Sequence, residues 1–473
     1  MTMNANRGVN DVPSEEERKG VRQSLQIVVR GTWDEVLVQC NPVRHGFQHD
    51  QALKASHAFA QELNRLAEIV AKQQPDDSQA PDYEEKLQGS LRLDMVTSLK
   101  VLKRLRKIGA GLRVELSNEL EQELKFNGLL VGEDKDKLAL AENGPALTFA
   151  EVKIAPILWE MMYEGKQESR PDWQKFWGFQ VPITHWNELS RNGPIDLRYG
   201  LFGAINEDFH FAGREVSLLT QQRSLRLQYT NLAQELQDHV DLALPHQLGL
   251  SASQIKHWWA SCEPDAWLKS FLAQLAEKTE LGEIEADEWK DSALKKIFKK
   301  GFGHGLIHFA CHCEASGATE FLSRLDMKVA QEPVSLDVSF LATDLRRELH
   351  SSRDPGPLVF LNACGTAQQS QSYEPPGFPD KWIKCQGALA VVATICPVPD
   401  YFAFAFASKF YEILFEAINS SEPVRNQYVA EALLATRRYF MDEYNNPLGL
   451  AYVLYAIKEA RIQNDFAPIG VAL

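Results

Sequence analysis

GLIHFAC (305–311), PLVFLNAC (357–364) and GALAVVATICP (387–397) are three short apolar runs, each bounded by Gly or Pro. Runs of this length, rich in Val, Ile, Leu and Phe, read as strands buried on both faces. The patterns that separate or follow them, at 340–350, 401–419 and 425–443, read as helices. Buried strands alternating with helices predict an α/β fold: a mainly parallel sheet flanked by helices on both faces. In such sheets functional groups gather at the carboxyl ends of the strands. The first run ends at His312 and the second at Cys364, so if the two strands are neighbours, an imidazole and a thiol share one rim.

A free thiol has a pKa of about 8.5 and is only a few per cent thiolate at neutral pH, so a nucleophilic Cys364 needs a neighbouring imidazole or a positive helix end. Gly365 lets the chain turn sharply, bringing backbone N–H groups towards a substrate carbonyl whose oxyanion they would stabilise. The histidine would also protonate the leaving amine. His312 precedes Cys364 by 52 residues, close to the caspase arrangement of about 50. A chain with twelve His and seven Cys offers many such pairs. On spacing alone, a buried core thiol at a strand end remains an equal reading.

Outward from these runs, SLQIVVRG (24–31) and WDEVLVQC (33–40) read as a hairpin. Residues 51–73 carry Leu53, Phe59, Leu63, Leu66 and Val70 at helical spacing. A second helix is expected over about 91–108, with Gly109 as its stop. Its basic residues Lys100, Lys103, Arg104, Arg106 and Lys107 read as a solvated face opposite Val96, Leu99, Leu102 and Leu105. Residues 75–85 read as a polar loop, 131–146 as turns around a short strand, and 213–300 as mostly helical. No repeat of solenoid period is visible.

The chain has 473 residues, 44% of them hydrophobic, enough for a sizeable core. A net charge of −14 argues against nucleic acid as the main partner. The seven cysteines form no framework and the first twenty residues are polar. Reduced thiols and a cytoplasmic location are therefore expected. The most apolar stretch, 387–410, is interrupted by Pro397, Pro399 and Asp400, so no membrane span is expected. Cys311, His312 and Cys313 make a C-H-C run, but zinc needs further ligands at compact spacing, which Cys385 and Cys396 do not supply. His308 lies on the same strand face as His312 and reads as a core histidine with a backbone partner.

The wording of these segments resembles the CHAT family of caspase-like peptidases, relatives of separase. HFACHCE (308–314) resembles its strand-His motif. VFLNACGTA (359–367) resembles its Ala-Cys-x-Thr motif, with Ala363, Cys364 and Thr366 in place. GALAVVATICPVPD (387–400), FASKFYEILFEAI (406–418), EALLATRRYF and NPLGLAYVLYAI (446–457) resemble the segments that follow. PILWEMMYEG (156–165) resembles the family's Pro-Trp-Glu segment, and LKRLRKIGAGL (102–112) a helix of its amino-terminal half.

The resemblance implies a caspase-like three-layer sandwich preceded by a related amino-terminal α/β half. In outline that gives a flexible tail at 1–22, a pseudo-caspase-like half at 23–212, a mainly helical connection at 213–300 and a catalytic half at 301–473. It implies a cysteine endopeptidase with His312 and Cys364 as the dyad and backbone N–H groups at Cys313 and Gly365 holding the oxyanion. It needs no cofactor and no metal. Members usually carry Gly after the catalytic His; here the residue is Cys313, whose side chain restricts φ. That departure keeps an inactive scaffold as the competing reading.

Glu314 is expected to face water, and Trp159 and Glu160 to link the halves. Asn362 and Asp400 are the candidate substrate-binding residues, Asp400 being equally a helix cap. Relatives that cut after Lys or Arg place an acid where Asn362 stands, which disfavours a strict basic preference unless another acid, such as Asp400, substitutes. The family also implies a protein substrate, for example a gasdermin-like pore-forming protein in prokaryotic defence, and a regulatory partner.

Overall fold

The computed structural model describes residues 25–31, 36–40, 43–47, 49–75, 81–114, 130–131, 139–140, 147–152, 157–164, 170–186, 194–211, 214–215, 217–218, 229–232, 295, 297–299, 301–314, 324–329, 332–343, 356–363, 366, 377–419, 428–456 and 460–462. The expected tail at 1–22, nearly all of the 213–300 connection, and Cys364 and Gly365 lie outside the described residues.

The strands are β1 (Leu25–Gly31), β2 (Val36–Cys40), β3 (Val43–Phe47), β4 (Leu130–Val131), β5 (Ala139–Leu140), β6 (Leu147–Val152), β7 (Ile183–Trp186) and β8 (Leu201–Ile205). They continue with β9 (Tyr229–Asn231), β10 (Leu306–Glu314), β11 (Arg324–Val329), β12 (Glu332–Asp337), β13 (Leu358–Ala363), β14 (Ala390–Thr394) and β15 (Tyr452–Ala456). All but β4 and β5 join one sheet, whose main path runs β12-β11-β10-β13-β14-β15-β7-β6-β1-β2-β3. The three apolar runs are its adjacent parallel strands β10, β13 and β14. The 446–457 segment supplies β15, which pairs antiparallel with β14 and parallel with β7, joining both halves of the chain in one sheet. The predicted hairpin is β1 and β2, paired antiparallel.

Successive residues of a strand face opposite ways, and β10 shows which helices cover which face. His308 bonds Tyr411 on the helix Asp400–Asn419, while the next residue, Phe309, lies 5.7 Å from Trp382 on the helix Gly377–Gln386. The two helices therefore cover opposite faces, giving three layers as expected. On the first helix Phe402, Phe406, Phe410 and Leu414 recur every four residues and are all buried. Phe406 stacks on Tyr452 of β15 at 3.9 Å, and Phe410 sits 5.1 Å from Phe360 of β13. Each such ring contributes about 1.5–3 kcal/mol by leaving water.

Several expectations need correction. The second helix spans Met95–Val114, so Gly109 is interior to it rather than its stop. A Cβ at Gly109 would stand 1.8 Å from the Met161 carbonyl oxygen; the glycine is required by close packing, not by termination. On the same helix Arg106 is buried with its guanidinium 6.0 Å from the Tyr163 ring centre, and Val96 is exposed, reversing their assigned faces. The loop expected at 75–85 overlaps a helix, Tyr83–Gly89, anchored by buried Tyr83 and Leu87. The helix expected over 340–350 begins earlier and covers Val338–Ala342, where Asp337 caps it; residues 344–350 lie outside the described residues. β10 runs two residues past His312, because β11 extends the ladder with His312 opposite Asp326 and Glu314 opposite Arg324.

Of the two residues expected to link the halves, Glu160 reaches across to Arg437, while Trp159 packs within the amino-terminal half. Glu160 is fully buried, accepting from Arg437 Nη2 at 3.3 Å and bonded to His185 Nε2 at 3.2 Å. Burial pushes its carboxyl up, but His185 and Arg437 beside it together hold it below the usual carboxylate range. Arg437 also donates to the carbonyls of Gly178 and Tyr452. Trp159 stacks on Phe149 of β6 at 4.4 Å.

Candidate active site

β10 and β13 run side by side in register, Leu306 opposite Leu358 through Cys311 opposite Ala363. The next residue along β10 is His312; the next in sequence after β13 is Cys364, which lies outside the described residues. His312 is exposed at the rim, with Phe209 packed edge-to-face against its ring at 4.6 Å and 87°. A ring held on one face in this way keeps its orientation while its edge stays open to a substrate.

The chain is tethered on both sides of 364–365. The Ala363 carbonyl accepts from Thr394 Oγ1 at 2.5 Å and from Thr366 Oγ1 at 3.3 Å. Thr394 N–H in turn donates to Thr366 Oγ1 at 3.3 Å. The threonine of the Ala-Cys-x-Thr wording thus works as a clasp between the ends of β13 and β14. Gly365, like Cys364, is outside the described residues.

Cys313 is half-buried in β10, opposite Leu325 in the antiparallel ladder with β11. Its backbone is extended, and the only positive φ at a non-glycine among the described residues is at Asn445. The expected conformational penalty of a side chain at this position is therefore absent. Glu314 ends the strand.

Beneath His312 lies a buried polar chain that reasoning from the sequence missed. His308 is bonded through Nδ1 to Tyr411 Oη at 2.8 Å and through Nε2 to Glu215 Oε2 at 3.0 Å. Its partners are side chains, not the backbone group expected. Asn362 Nδ2 donates to Glu215 Oε1 at 2.8 Å, and Tyr452 Oη donates to Asn362 Oδ1 at 2.8 Å. A carboxylate only accepts, so Nε2 of His308 carries a proton. The Tyr411 hydroxyl completes the chain at Nδ1, so each member has a hydrogen-bond partner. Burial, and then the charge of Glu215, push the Tyr411 hydroxyl well above the ordinary tyrosine range. No pattern around FAGREV (211–216) marks Glu215 in advance; only the fold brings it under β10 and β13.

His312, Asn362, Glu215 and Asp400 line one cavity of about 120 Å³, walled on its apolar side by Phe209 and Val398 among others. Asp400 is the first residue of the helix Asp400–Asn419. Burial first, and the like charge of Glu215 second, push its carboxyl up to about 6, although backbone N–H groups of Phe211 and His210 hydrogen-bond to it. Those two donors tie Asp400 to the segment after β8. Among the described residues no group of His, Cys, Asp and Glu could hold a metal ion, and Cys311, Cys313, Cys385 and Cys396 form no disulfide. No described helix is long and apolar enough to cross a membrane.

Fold and site together define a mixed α/β protein whose helix-flanked sheet carries a histidine and an acid-lined cavity at the carboxyl ends of adjacent parallel strands. The CHAT domain family model matches residues 210–447, just over half of the chain. The chain belongs to the CHAT-domain family. Among solved structures it is similar to gingipain R, an Arg-specific cysteine proteinase, at 10% identity and a TM-score of 0.39, covering 93% of this chain and 78% of that one. It is also similar to the complex of RgpB pro- and mature domains from Porphyromonas gingivalis (10%, 0.36, covering 74% and 71%). A third similar structure is the separase–securin complex of Saccharomyces cerevisiae (10%, 0.38, covering 91% of this chain and 30% of that one). A comparison with curated proteins yields no match.

Proposed function

We propose that the chain is a cysteine endopeptidase in which Cys364 attacks a peptide carbonyl and His312 serves as acid and base. The observation that carries this reading is the exposed His312, one residue past the parallel ladder of β10 with β13, the strand that leads into Cys364, and on the wall of a side-chain-sized cavity. In the first step His312 takes the Cys364 thiol proton as the sulfur bonds to the carbonyl carbon, and the carbonyl oxygen takes the negative charge. Backbone N–H groups at Cys313 and Gly365 are the proposed donors to that oxygen. Collapse breaks the C–N bond, and His312 protonates the departing amine. Water, deprotonated by His312, then attacks the thioester; the acid leaves and the thiol is restored.

The clasp at Ala363 supports this reading, since a nucleophile between two tethered residues loses little freedom on reaching the transition state. The proposed substrate is a protein partner, for example a gasdermin-like pore-forming protein in a prokaryotic defence setting, with activity under the control of a regulatory partner. Incubation of the chain with proteins encoded beside its gene tests this. One of them should yield a discrete fragment that disappears with Cys364→Ala and with His312→Ala. Cleavage retained by the Cys364→Ala protein would end the proposal.

A further inference from the structure

We infer that Tyr83 and Glu84, at the start of the helix Tyr83–Gly89, are remote positioning residues for His312: they hold the segment that presses Phe209 against its ring. The inference deepens the peptidase reading and rests on it for the effect on Cys364; the placement of the His312 ring is read separately.

The segment that follows β8 starts on the sheet and ends beneath it. At its start the Asn206 N–H donates to the Ala310 carbonyl of β10 at 2.7 Å, and Asn206 Oδ1 accepts from the N–H of Lys328 on β11 at 2.9 Å. At its end Glu215 is bonded to His308 and Asn362. Phe209 lies between these ends, edge-to-face against His312. Contacts of that kind set the direction of a ring as well as its distance.

The helix Tyr83–Gly89 grips this segment on both sides of Phe211. His210, the residue after Phe209, is bonded through Nε2 to Tyr83 Oη at 2.8 Å, and the two rings meet edge-to-face. Arg214 makes a two-pronged bridge to Glu84, Nη1 donating to Oε2 at 3.0 Å and Nη2 to Oε1. The helix is a firm support, since Tyr83 and Leu87 are buried. Both links span long stretches of chain, 127 and 130 residues.

The exposure of the bridge separates orientation from stability. The Arg214 and Glu84 side chains are 41% and 62% exposed, and a surface pair of this kind adds little to folding. Its bidentate geometry nevertheless fixes direction. Loosening it lets Phe209, and with it the His312 ring, drift from the place where a thiol proton can be taken. Misplacement of an acid–base group by about 1 Å can cost as much as about 100-fold in rate.

The test uses the full chain carrying histidine labelled with carbon-13 at Cε1. The His312 resonance is assigned by its loss in His312→Ala, and Phe209→Leu marks where it falls once the neighbouring ring is gone. Glu84→Arg sets two cations against each other. It should move the resonance towards that mark and slow iodoacetamide alkylation of Cys364 about threefold or more, with the urea midpoint unchanged. Adding Arg214→Glu restores the bridge in reverse and should recover at least half of both effects. Tyr83→Phe, which removes the other link, is the second variant and should move both readouts the same way.

A His312 resonance unmoved in Glu84→Arg and in Tyr83→Phe would overturn the inference. So would a resonance that moves only in step with lost stability, which is what a merely structural role predicts. So would a moved resonance with unchanged Cys364 alkylation in a protein where His312→Ala slows it. A resonance that moves and is recovered by the reversed bridge, in a chain whose Cys364 is indifferent to His312→Ala, would uphold the positioning and overturn the peptidase reading alone.

Discussion

Asp400→Asn should stabilise the folded protein at neutral pH while impairing the cavity it lines. Folding raises the Asp400 carboxyl from 3.8 to about 6, because it is buried and faces Glu215. The ionised form is therefore penalised in the folded state. The penalty is present in full above pH 6 and fades as pH falls towards 3.8, where both folded and unfolded forms bind the proton. At about 1.4 kcal/mol per pH unit, the rise corresponds to about 3 kcal/mol. That figure is an upper bound, since Asn keeps one acceptor for the two N–H groups of His210 and Phe211. Among the described residues, the charged and titratable groups around Asp400 include Glu215 across the cavity, Cys311 and His312 on β10 and Tyr83 on the neighbouring helix. Urea denaturation of wild type and variant at pH 8 and pH 4 measures the effect. The variant should gain up to about 3 kcal/mol at pH 8 and close to nothing at pH 4. Equal destabilisation at both values would show that Asp400 acts as a neutral structural tie, and the electrostatic reasoning would fail.

Three further outcomes follow from the packing. Gly109→Ala places a methyl 1.8 Å from the Met161 carbonyl oxygen and should cost about 1–3 kcal/mol in chemical denaturation. Arg437→Met strands the buried Glu160 carboxylate and should cost about 3–5 kcal/mol; the Arg437→Met, Glu160→Gln double variant should recover part of that loss, as thermal melts of the pair would show. Tyr411→Phe removes the hydroxyl bonded to Nδ1 of His308 and should cost about 1–3 kcal/mol, visible in urea titrations.

The central strands were legible because β10, β13 and β14 are buried on both faces, which leaves unbroken apolar runs in the sequence. His312 was legible because it ends such a run. The order of strands was only partly so: nothing local in YVLYA says that β15 pairs antiparallel with β14 and bridges to β7. Gly109 misled because an interior glycine and a terminal one look alike until the partner that needs the space, here the Met161 carbonyl, is known. Arg106 misled because its burial depends on the ring of Tyr163, far along the chain. Glu215 was invisible for the same reason. Its partners His308 and Asn362 are 93 and 147 residues away, and one carboxylate among 64 acidic residues carries no local mark.

The pairing of Cys364 with His312 is tested most directly by the rate at which iodoacetamide alkylates each cysteine of the native chain, resolved by mass spectrometry. Cys364 should react fastest, ahead of half-buried Cys313 and buried Cys311 and Cys396, and His312→Ala should slow it about tenfold without slowing the others. A Cys364 that reacts no faster than those thiols, or at the same rate without His312, would contradict the account.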